Sequence, residues 1–151
     1  MSAGAAERAR ALIGVRFRPQ GRDPALGLDC IGVVAMVFGL TAVRRDYGLR
    51  SSDAEAVNAE FAESGFLRIA PTEAGTGDVL LVRAGPGQLH VVILTPGGFL
   101  HADAGLRRVV ETPGAVAWPV VSAWRFGEEE EDPHLPPRRR RAPPLPRAGE
   151  G

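Results

Sequence analysis

Three side chains in this sequence have the types and the order along the chain that nucleophilic catalysis requires: Cys30, His90 and His101. Cys30 is the only cysteine and follows Asp29 at the predicted start of an apolar helix. The free N–H groups and the dipole of a helix N-terminus stabilise negative charge, and such sites lower a thiol pKa from about 8.5 to roughly 3.5–7.5. The position therefore predicts an activated thiol, although a lone cysteine is more often a small buried hydrophobe.

The two histidines lie on consecutive predicted strands that are joined by a tight Pro-Gly turn. If Leu94 pairs with Phe99 across this turn, His90 faces Asp103 and His101 is the diagonal neighbour of His90. Antiparallel partners share a face of the sheet, and so do residues two positions apart on one strand. The hairpin therefore predicts that both histidines project from the same face, whereas a slip of one residue would separate them.

A nucleophilic thiol needs a base that takes its proton, and the base needs a third group that fixes its tautomer and orientation. Cys30, His90 and His101 can fill these three roles in that order. Asp103 competes with His101 as the orienting group. Two histidines on one hairpin are equally compatible with core, surface or metal-binding positions, so spacing alone leaves these alternatives open. His134 lies in the C-terminal segment and is expected to take no part.

Apolar periodicity and capping residues predict helices in the first half of the chain and strands in the second half. The predicted helices are Ala3 to Ile13, Cys30 to Phe38 with Asp29 as N-cap, and about Asp53 to Ser64 with a capping box formed by Ser52 and Glu55. The predicted strands are Phe66–Ile69, Val79–Arg83, Leu89–Thr95, Phe99–Asp103, Arg107–Glu111 and Val120–Phe126. Arg16 to Leu28 has the prolines and glycines of a loop. Helices followed by strands predict an α+β domain with an antiparallel sheet.

A change in composition divides the chain into a predicted domain over residues 1–127 and a charged, proline-rich tail over residues 128–151. The tail has too few apolar residues to form a core, so we expect it to be disordered. Its basic run, Arg138 to Arg141, is compatible with contact to a nucleic acid or an anionic surface, but a solvated tail is the more common explanation of such a run.

Bulk composition excludes several classes of protein. The 151 residues carry a formal net charge of zero, which gives no indication of a nucleic-acid partner. A single cysteine excludes an intrachain disulfide and a multi-cysteine zinc site. No apolar run approaches the roughly 20 residues that a membrane-spanning helix needs, so we expect no membrane insertion. The N-terminus lacks the apolar core of a signal peptide, which predicts synthesis in the cytoplasm without an export signal.

Four parts of the sequence occur in the order and spacing of one known family. They are Leu12–Arg18 with Gly21, Gly27–Val34, Gly77–Leu81, and Leu89–Ile93 with Phe99–Ala102. They resemble the opening segment, the D-C-S-G nucleophile motif, the Gly-Asp step into the sheet and the two histidine strands of NlpC-type cell-wall cysteine peptidases. The resemblance spans about Ala11 to Trp124.

The resemblance implies an α+β, papain-like (circularly permuted) fold with N-terminal helices packed on an antiparallel β-sheet. It implies Cys30 as nucleophile, His90 as base and His101 as the orienting residue, with the Cys30 N–H in the oxyanion hole. Asp29 and Phe17 take the positions of substrate-binding residues, although Asp29 is equally expected to be the helix N-cap.

The function implied by the resemblance is hydrolysis of amide bonds in peptidoglycan stem peptides through a thioester intermediate, without a metal or organic cofactor. Ile31 stands where the family usually has Ser, and Phe17 where Tyr is common. The small domain and the presence of Ile31 in place of Ser resemble phage-associated members of the family. This resemblance implies phage-tail or phage-like particle proteins as partners, and delivery of the chain to the cell wall by such a particle. Two alternatives stay open: an amidase or acyltransferase acting on another substrate, and a non-enzymatic tail-assembly subunit.

Overall fold

The structure, a computed structural model, describes residues 3–40 and 53–127 of the chain. The predicted tail over residues 128–151 and the predicted capping residue Ser52 lie outside these residues. The described helices are α1 (Ala3–Arg10), α2 (Cys30–Phe38) and α3 (Ala54–Glu63), with a short 3-10 turn at Pro71–Glu73. The strands are β1 (Arg22–Asp23), β2 (Gly27–Leu28), β3 (Phe66–Ile69), β4 (Val79–Gly85), β5 (Gln88–Thr95), β6 (Gly98–Asp103), β7 (Arg108–Pro113) and β8 (Val120–Phe126).

Helix α2 is the central helix and begins at Cys30, as predicted. Asp29 is its N-cap, and the carboxylate accepts a hydrogen bond from the Gly32 N–H at 2.8 Å. Gly39 ends the helix in the left-handed conformation with a φ of 69°, which a residue without a Cβ adopts at little cost. Every residue of the helix except Met36 is buried. The cap and the apolar sequence therefore fix both the position of Cys30 and the burial of the helix.

The N-terminal helix is shorter than predicted. It ends at Arg10 rather than Ile13, because the chain tightens into turns and Gly14 donates its N–H to the Val109 carbonyl at the edge of the sheet. Ala9 packs in the core, but Ile13, the last residue of the predicted helix, is 47% exposed.

Two other element boundaries differ from prediction for local reasons. Asp53 caps α3, since its carboxylate accepts the Ala56 N–H at 3.0 Å. Strand β7 begins at Arg108 because Arg107 has a φ of 64°, which belongs to the turn and not to extended backbone.

Six antiparallel strands form the main sheet in the order β3-β8-β4-β5-β6-β7. The β5–β6 hairpin pairs Leu94 with Phe99 and Ile93 with Leu100, which confirms the predicted register. Strand β3 lies at one edge of the sheet and β7 at the other.

Each face of the sheet has its own core. The larger core lies against the helices and includes Cys30 from α2, Val91 from β5 and Leu100 from β6. The smaller core lies on the opposite face and includes Val92 and Phe99. The side-chain alternation of β5 and β6 therefore places His90 and His101 on the face that the helices do not cover.

The predicted loop before α2 contains a short ribbon that joins the edge of the sheet. Strands β1 and β2 pair with each other, Arg16 forms an antiparallel bridge with Arg108 of β7, and Phe17 forms a parallel bridge with Leu28 of β2. The Phe17 N–H also donates to the Arg107 carbonyl at 2.9 Å. This ribbon attaches the segment that carries Cys30 to the β7 edge of the sheet.

The ribbon also packs closely against α2, at two glycines. A Cβ added to Gly32 would clash with the Gly21 carbonyl oxygen, which is a backbone atom that cannot move away alone. We therefore expect Gly32→Ala to displace the start of α2 and to destabilise the fold by about 1–3 kcal/mol, measured by urea unfolding. The matched control is Gly75→Ala, because a Cβ there meets nothing within 4 Å. Equal stability of the two variants would contradict this packing.

Candidate active site

The candidate site lies where β5 and β6 separate. The β5–β6 pairing runs from Thr95 and Gly98 only as far as Ile93 and Leu100. Beyond that point β5 remains paired with β4, and β6 remains paired with β7 as far as Asp103. The two strands therefore enclose a gap at the level of the histidines.

The sulfur of Cys30 occupies the helix side of this gap. The Leu94 N–H donates to the carbonyl of Asp78, the residue that precedes β4. Because the N–H groups of successive residues in an antiparallel strand point in opposite directions, the Val91 N–H points towards β6. That N–H has no ladder partner on β6 and lies close enough to the Cys30 thiol to lower its pKa. The side chain of Cys30 is 4% exposed. The split in the sheet thus holds the thiol beside the residue that follows His90.

The electrostatic environment of Cys30 is opposite to the one predicted from the helix N-terminus. Burial, and then the negative charge of Asp29, raise the pKa of the Cys30 thiol to about 12. The backbone N–H groups of Val91 and Ile31 and the nearby Arg22 lower the pKa, but their effect is smaller than that of burial. The sequence-based prediction of a low thiol pKa is therefore wrong for the free protein, and Cys30 is a neutral thiol at pH 7.

His90 and His101 contact each other across the gap. The His90 Nε2 and the His101 Nδ1 are 2.8 Å apart, and the two rings are nearly perpendicular. The carboxylate of Asp103, which the sequence left as a competing partner for His90, accepts the Gly105 and Leu106 N–H groups of the β6–β7 turn. The geometry therefore pairs His90 with His101 and engages Asp103 in the turn.

Both imidazoles are neutral at pH 7. Burial, and then the neighbouring His101 ring, lower the pKa of His90 to about 4, although the Asp103 carboxylate acts in the opposite direction. Burial also lowers the pKa of His101, again opposed by Asp103. A neutral imidazole has one donor and one acceptor nitrogen, so one ring donates to the other in this pair.

The direction of the histidine hydrogen bond decides whether His90 can act as a base. If the His90 Nε2–H donates to the His101 Nδ1, the lone pair of the His90 Nδ1 is free to accept a proton. In the opposite direction the His90 Nδ1 carries the hydrogen and cannot accept one. The first tautomer pair is therefore the one that is competent for catalysis.

Trp118 covers the histidine pair, and no motif in the sequence indicated it. Its ring centroid lies 5.6 Å from that of His90 and 5.7 Å from that of His101, and its indole also contacts Phe99. Trp118 belongs to the segment between β7 and β8 and is half-buried. This contact accounts for part of the burial that keeps both imidazoles neutral.

Asp29 and Phe17, the two positions implied for substrate binding, have structural contacts of their own. One Asp29 oxygen accepts the Gly32 N–H and an Arg22 N–H, both at 2.8 Å, and the other oxygen accepts the Gln20 N–H at 3.0 Å. Since a carboxylate offers about four acceptor positions, Asp29 has capacity for one more donor. Phe17 is half-buried against the larger core, beside the β2 residue that precedes Asp29.

The charge of Asp29 gives a prediction for the reactivity of Cys30. In Asp29→Asn the side-chain oxygen still caps α2, but the negative charge that raises the pKa of Cys30 is removed. We expect iodoacetamide to alkylate Cys30 about three- to tenfold faster at pH 8, because a larger fraction of the thiol is ionised. Asp53→Asn is the control, since Asp53 caps α3 in the same way. Alkylation that is unchanged or slower in Asp29→Asn would contradict this.

The structure brings the three candidate residues to one place without a direct bond between thiol and base. Within residues 3–40 and 53–127, the Cys30 sulfur and the His90 ring form no hydrogen bond with each other. They are linked through the Val91 backbone, which follows His90 directly. Catalytic hydrogen bonds commonly tighten only when substrate binds, so a rotation of the His90 ring on binding can complete the contact.

No cluster of three or more His, Cys, Asp or Glu side chains that could hold a metal ion occurs in the described part of the chain. None of the described helices is both long and apolar enough to cross a membrane.

Comparison with known proteins identifies the fold. Neither a protein-family model nor a curated protein sequence matches this chain. Solved structures do match. NlpC1 from Trichomonas vaginalis has a TM-score of 0.60 at 17% identity and covers 82% of this chain. The peptidoglycan hydrolase RipB from Mycobacterium tuberculosis has a TM-score of 0.54 at 25% identity and covers 83% of this chain.

A third match is the NlpC/p60 domain of the peptidoglycan hydrolase SagA, with a TM-score of 0.50 at 25% identity over 74% of this chain. The present chain spans 87% of that domain, but only 44% of the Trichomonas chain and 64% of the RipB chain. The predicted α+β, papain-like fold is therefore confirmed, and it is the fold of NlpC/P60 peptidoglycan hydrolases.

Proposed function

We propose that this chain is a cysteine peptidase that hydrolyses amide bonds in peptidoglycan stem peptides. The observation that carries the proposal is the split between β5 and β6, where a buried thiol meets a backbone N–H next to a hydrogen-bonded histidine pair. The same fold occurs in peptidoglycan hydrolases of known structure, which supports the substrate class. In this proposal Cys30 is the nucleophile, His90 the base and His101 the orienting residue.

The proposed reaction begins from the neutral thiol. His90 takes the thiol proton on Nδ1 while the Cys30 sulfur bonds to the carbonyl carbon of the scissile amide. The carbonyl oxygen becomes an oxyanion, for which the Cys30 N–H at the start of α2 is a donor. The His90 proton then passes to the leaving amine, the C–N bond breaks and a thioester remains. Water, deprotonated by His90, attacks the thioester, the C–S bond breaks, and the released Cys30 thiolate takes the proton from His90.

The raised pKa of Cys30 and the lowered pKa of His90 define when the proton moves. Because neither residue is ionised in the free protein, we propose that proton transfer accompanies attack on the carbonyl rather than preceding it. His101 stabilises this step by accepting the hydrogen bond from the His90 Nε2–H. Asp29 and Phe17 are proposed to contact the substrate beside Cys30, Asp29 through its remaining acceptor position.

Delivery by a phage tail or phage-like particle forms a separate part of the proposal. It is supported by Ile31 in place of the usual Ser, a feature that resembles phage-associated members. Copurification of the chain with assembled tail particles would support it, and its absence from such particles would refute it without affecting the proposed chemistry.

The proposed activity is tested by incubating the purified chain with soluble peptidoglycan fragments and reading the products by mass spectrometry. We expect cleavage of a stem-peptide amide by the wild type and by His134→Ala, and none by Cys30→Ala. A wild-type chain that cleaves small amides or transfers an acyl group, but leaves stem peptides intact, would favour the amidase or acyltransferase alternative. Activity that survives in Cys30→Ala would refute the thiol mechanism.

A further inference from the structure

A group of exposed arginines lies beside the candidate site, on the same face of the sheet as His101. We call Arg16, Arg18 and Arg108 the arginine patch. All three are exposed, and none forms an ion pair with a carboxylate among the residues that the structure describes. By contrast, Arg10, Arg22 and Arg125 each pair with an acid. The patch therefore concentrates positive charge in a chain whose formal net charge is zero.

The bridge between the ribbon and β7 brings two of these charges together. Arg16 and Arg108 are direct antiparallel partners, so their side chains share a face. Like charges in this arrangement repel and destabilise a sheet, so the pairing of Arg16 with Arg108 does not stabilise the fold. Arg18 lies two residues from Arg16 along the extended ribbon and projects from the same side. A ligand that carries negative charge would relieve this repulsion.

The sheet register places the patch close to the histidine pair. Arg108 pairs with Asp103, and His101 pairs with Val110, so Arg108 is the diagonal neighbour of His101. Diagonal neighbours lie about 7–8 Å apart, a span of roughly two extended peptide residues. The arginine patch therefore borders the histidine side of the candidate site.

Among the described acids, Asp103 lies opposite Arg108 on the same face and offsets part of the charge of the patch without forming an ion pair with it. The Asp103 carboxylate accepts two backbone N–H groups of its own turn. Glu111 of β7 faces the helices, where Arg10 bonds both of its oxygens at 2.9 and 2.7 Å. Asp29 is engaged by Arg22 and by the backbone at the start of α2.

We propose that the arginine patch is a subsite for carboxylate groups of the peptide substrate, within two residues of the scissile amide. This inference rests on the proposed function and specifies which stem peptides the site prefers. Arginine guanidinium groups bind carboxylates with short, charge-assisted hydrogen bonds. A stem peptide with a free carboxylate beside the cleaved bond is then favoured over one in which that group is a carboxamide.

The test compares two stem peptides that differ only in whether the D-glutamate α-carboxyl group is free or amidated. We expect wild-type kcat/KM to favour the acid about tenfold, and the double variant Arg16→Gln, Arg108→Gln to reduce this preference to about twofold or less. Arg68→Gln on β3 is the matched control, because it removes an exposed charge at the opposite edge of the sheet. An unchanged preference in the double variant would overturn the proposal.

A binding measurement separates this proposal from the proposed activity. In the Cys30→Ala background, calorimetry should show that the acid binds more tightly than the amide, and that the double arginine variant abolishes the difference. Equal binding of both peptides would overturn the proposal, even if the wild type cleaves them. If the double arginine variant lost binding to inorganic polyphosphate but kept the same ratio of acid to amide binding, the patch would be a site for a phosphate polymer. That result would also overturn the proposal.

Thermal unfolding checks that the double variant is folded. Because the substitutions remove repulsion between two exposed arginines, we expect its melting temperature to equal or exceed that of the wild type.

Discussion

Replacing His90 with alanine is expected to lower kcat/KM for a stem-peptide amide by about 10⁴-fold or more, a loss comparable to removal of the base in a catalytic triad. The reason is the environment of the thiol. With a pKa raised to about 12, only about one Cys30 side chain in 10⁵ is ionised at pH 7, so the reaction depends on a base that removes the proton during attack. Steady-state kinetics on the cleaved peptide measure the loss directly.

Variants of the neighbouring histidine serve as internal controls for this prediction. His101→Asn retains a polar side chain beside the His90 Nε2 and is expected to lose less activity than His101→Ala, whereas His134→Ala is expected to lose none. If His90→Ala retained more than about one hundredth of the wild-type kcat/KM, His90 would not be the base.

The second large effect concerns acid stability. Folded His90 is protonated only near pH 4, whereas the unfolded side chain is protonated near its ordinary pKa of about 6.5. Between these two values the unfolded state binds more protons, so the free energy of unfolding falls as the pH falls. For His90 alone the loss between pH 7 and pH 5 is about 2 kcal/mol, and the lowered pKa of His101 acts in the same direction.

The variant His90→Gln isolates this contribution. Urea unfolding at pH 7 and at pH 5 should show that His90→Gln loses less stability than the wild type on acidification, by about 2 kcal/mol. His134→Gln should keep the wild-type pH dependence. The same loss in wild type and His90→Gln would show that the His90 imidazole takes up its proton equally well in the folded and unfolded states.

Much of the fold follows from local sequence. The boundaries of α2 were predictable because Asp29 and Gly39 are strong capping residues around an apolar run. The register of the β5–β6 hairpin was predictable from its two-residue turn, and this register places His90 and His101 on one face of the sheet. The end of α1 was mispredicted because Gly14 bonds to the distant Val109, an interaction that local sequence does not reveal.

The site was less predictable where it depends on contacts between distant segments. The helix N-terminus predicted a low thiol pKa, but the close packing of α2 on the sheet makes burial the dominant effect on Cys30. Trp118 was missed because it carries no motif and reaches the histidines only through the path of the β7–β8 segment. The arginine patch was missed because its members come together only through the bridge between Arg16 and Arg108.

The most direct test of the central claim is interception of the thioester with hydroxylamine. If the Cys30 sulfur becomes acylated, hydroxylamine competes with water and the cleaved stem peptide carries a hydroxamate, which mass spectrometry distinguishes from a carboxylate. We predict hydroxamate product with the wild type and no product with Cys30→Ala. Cleavage by the wild type that yields only carboxylate, even at high hydroxylamine concentration, would contradict a covalent intermediate on Cys30.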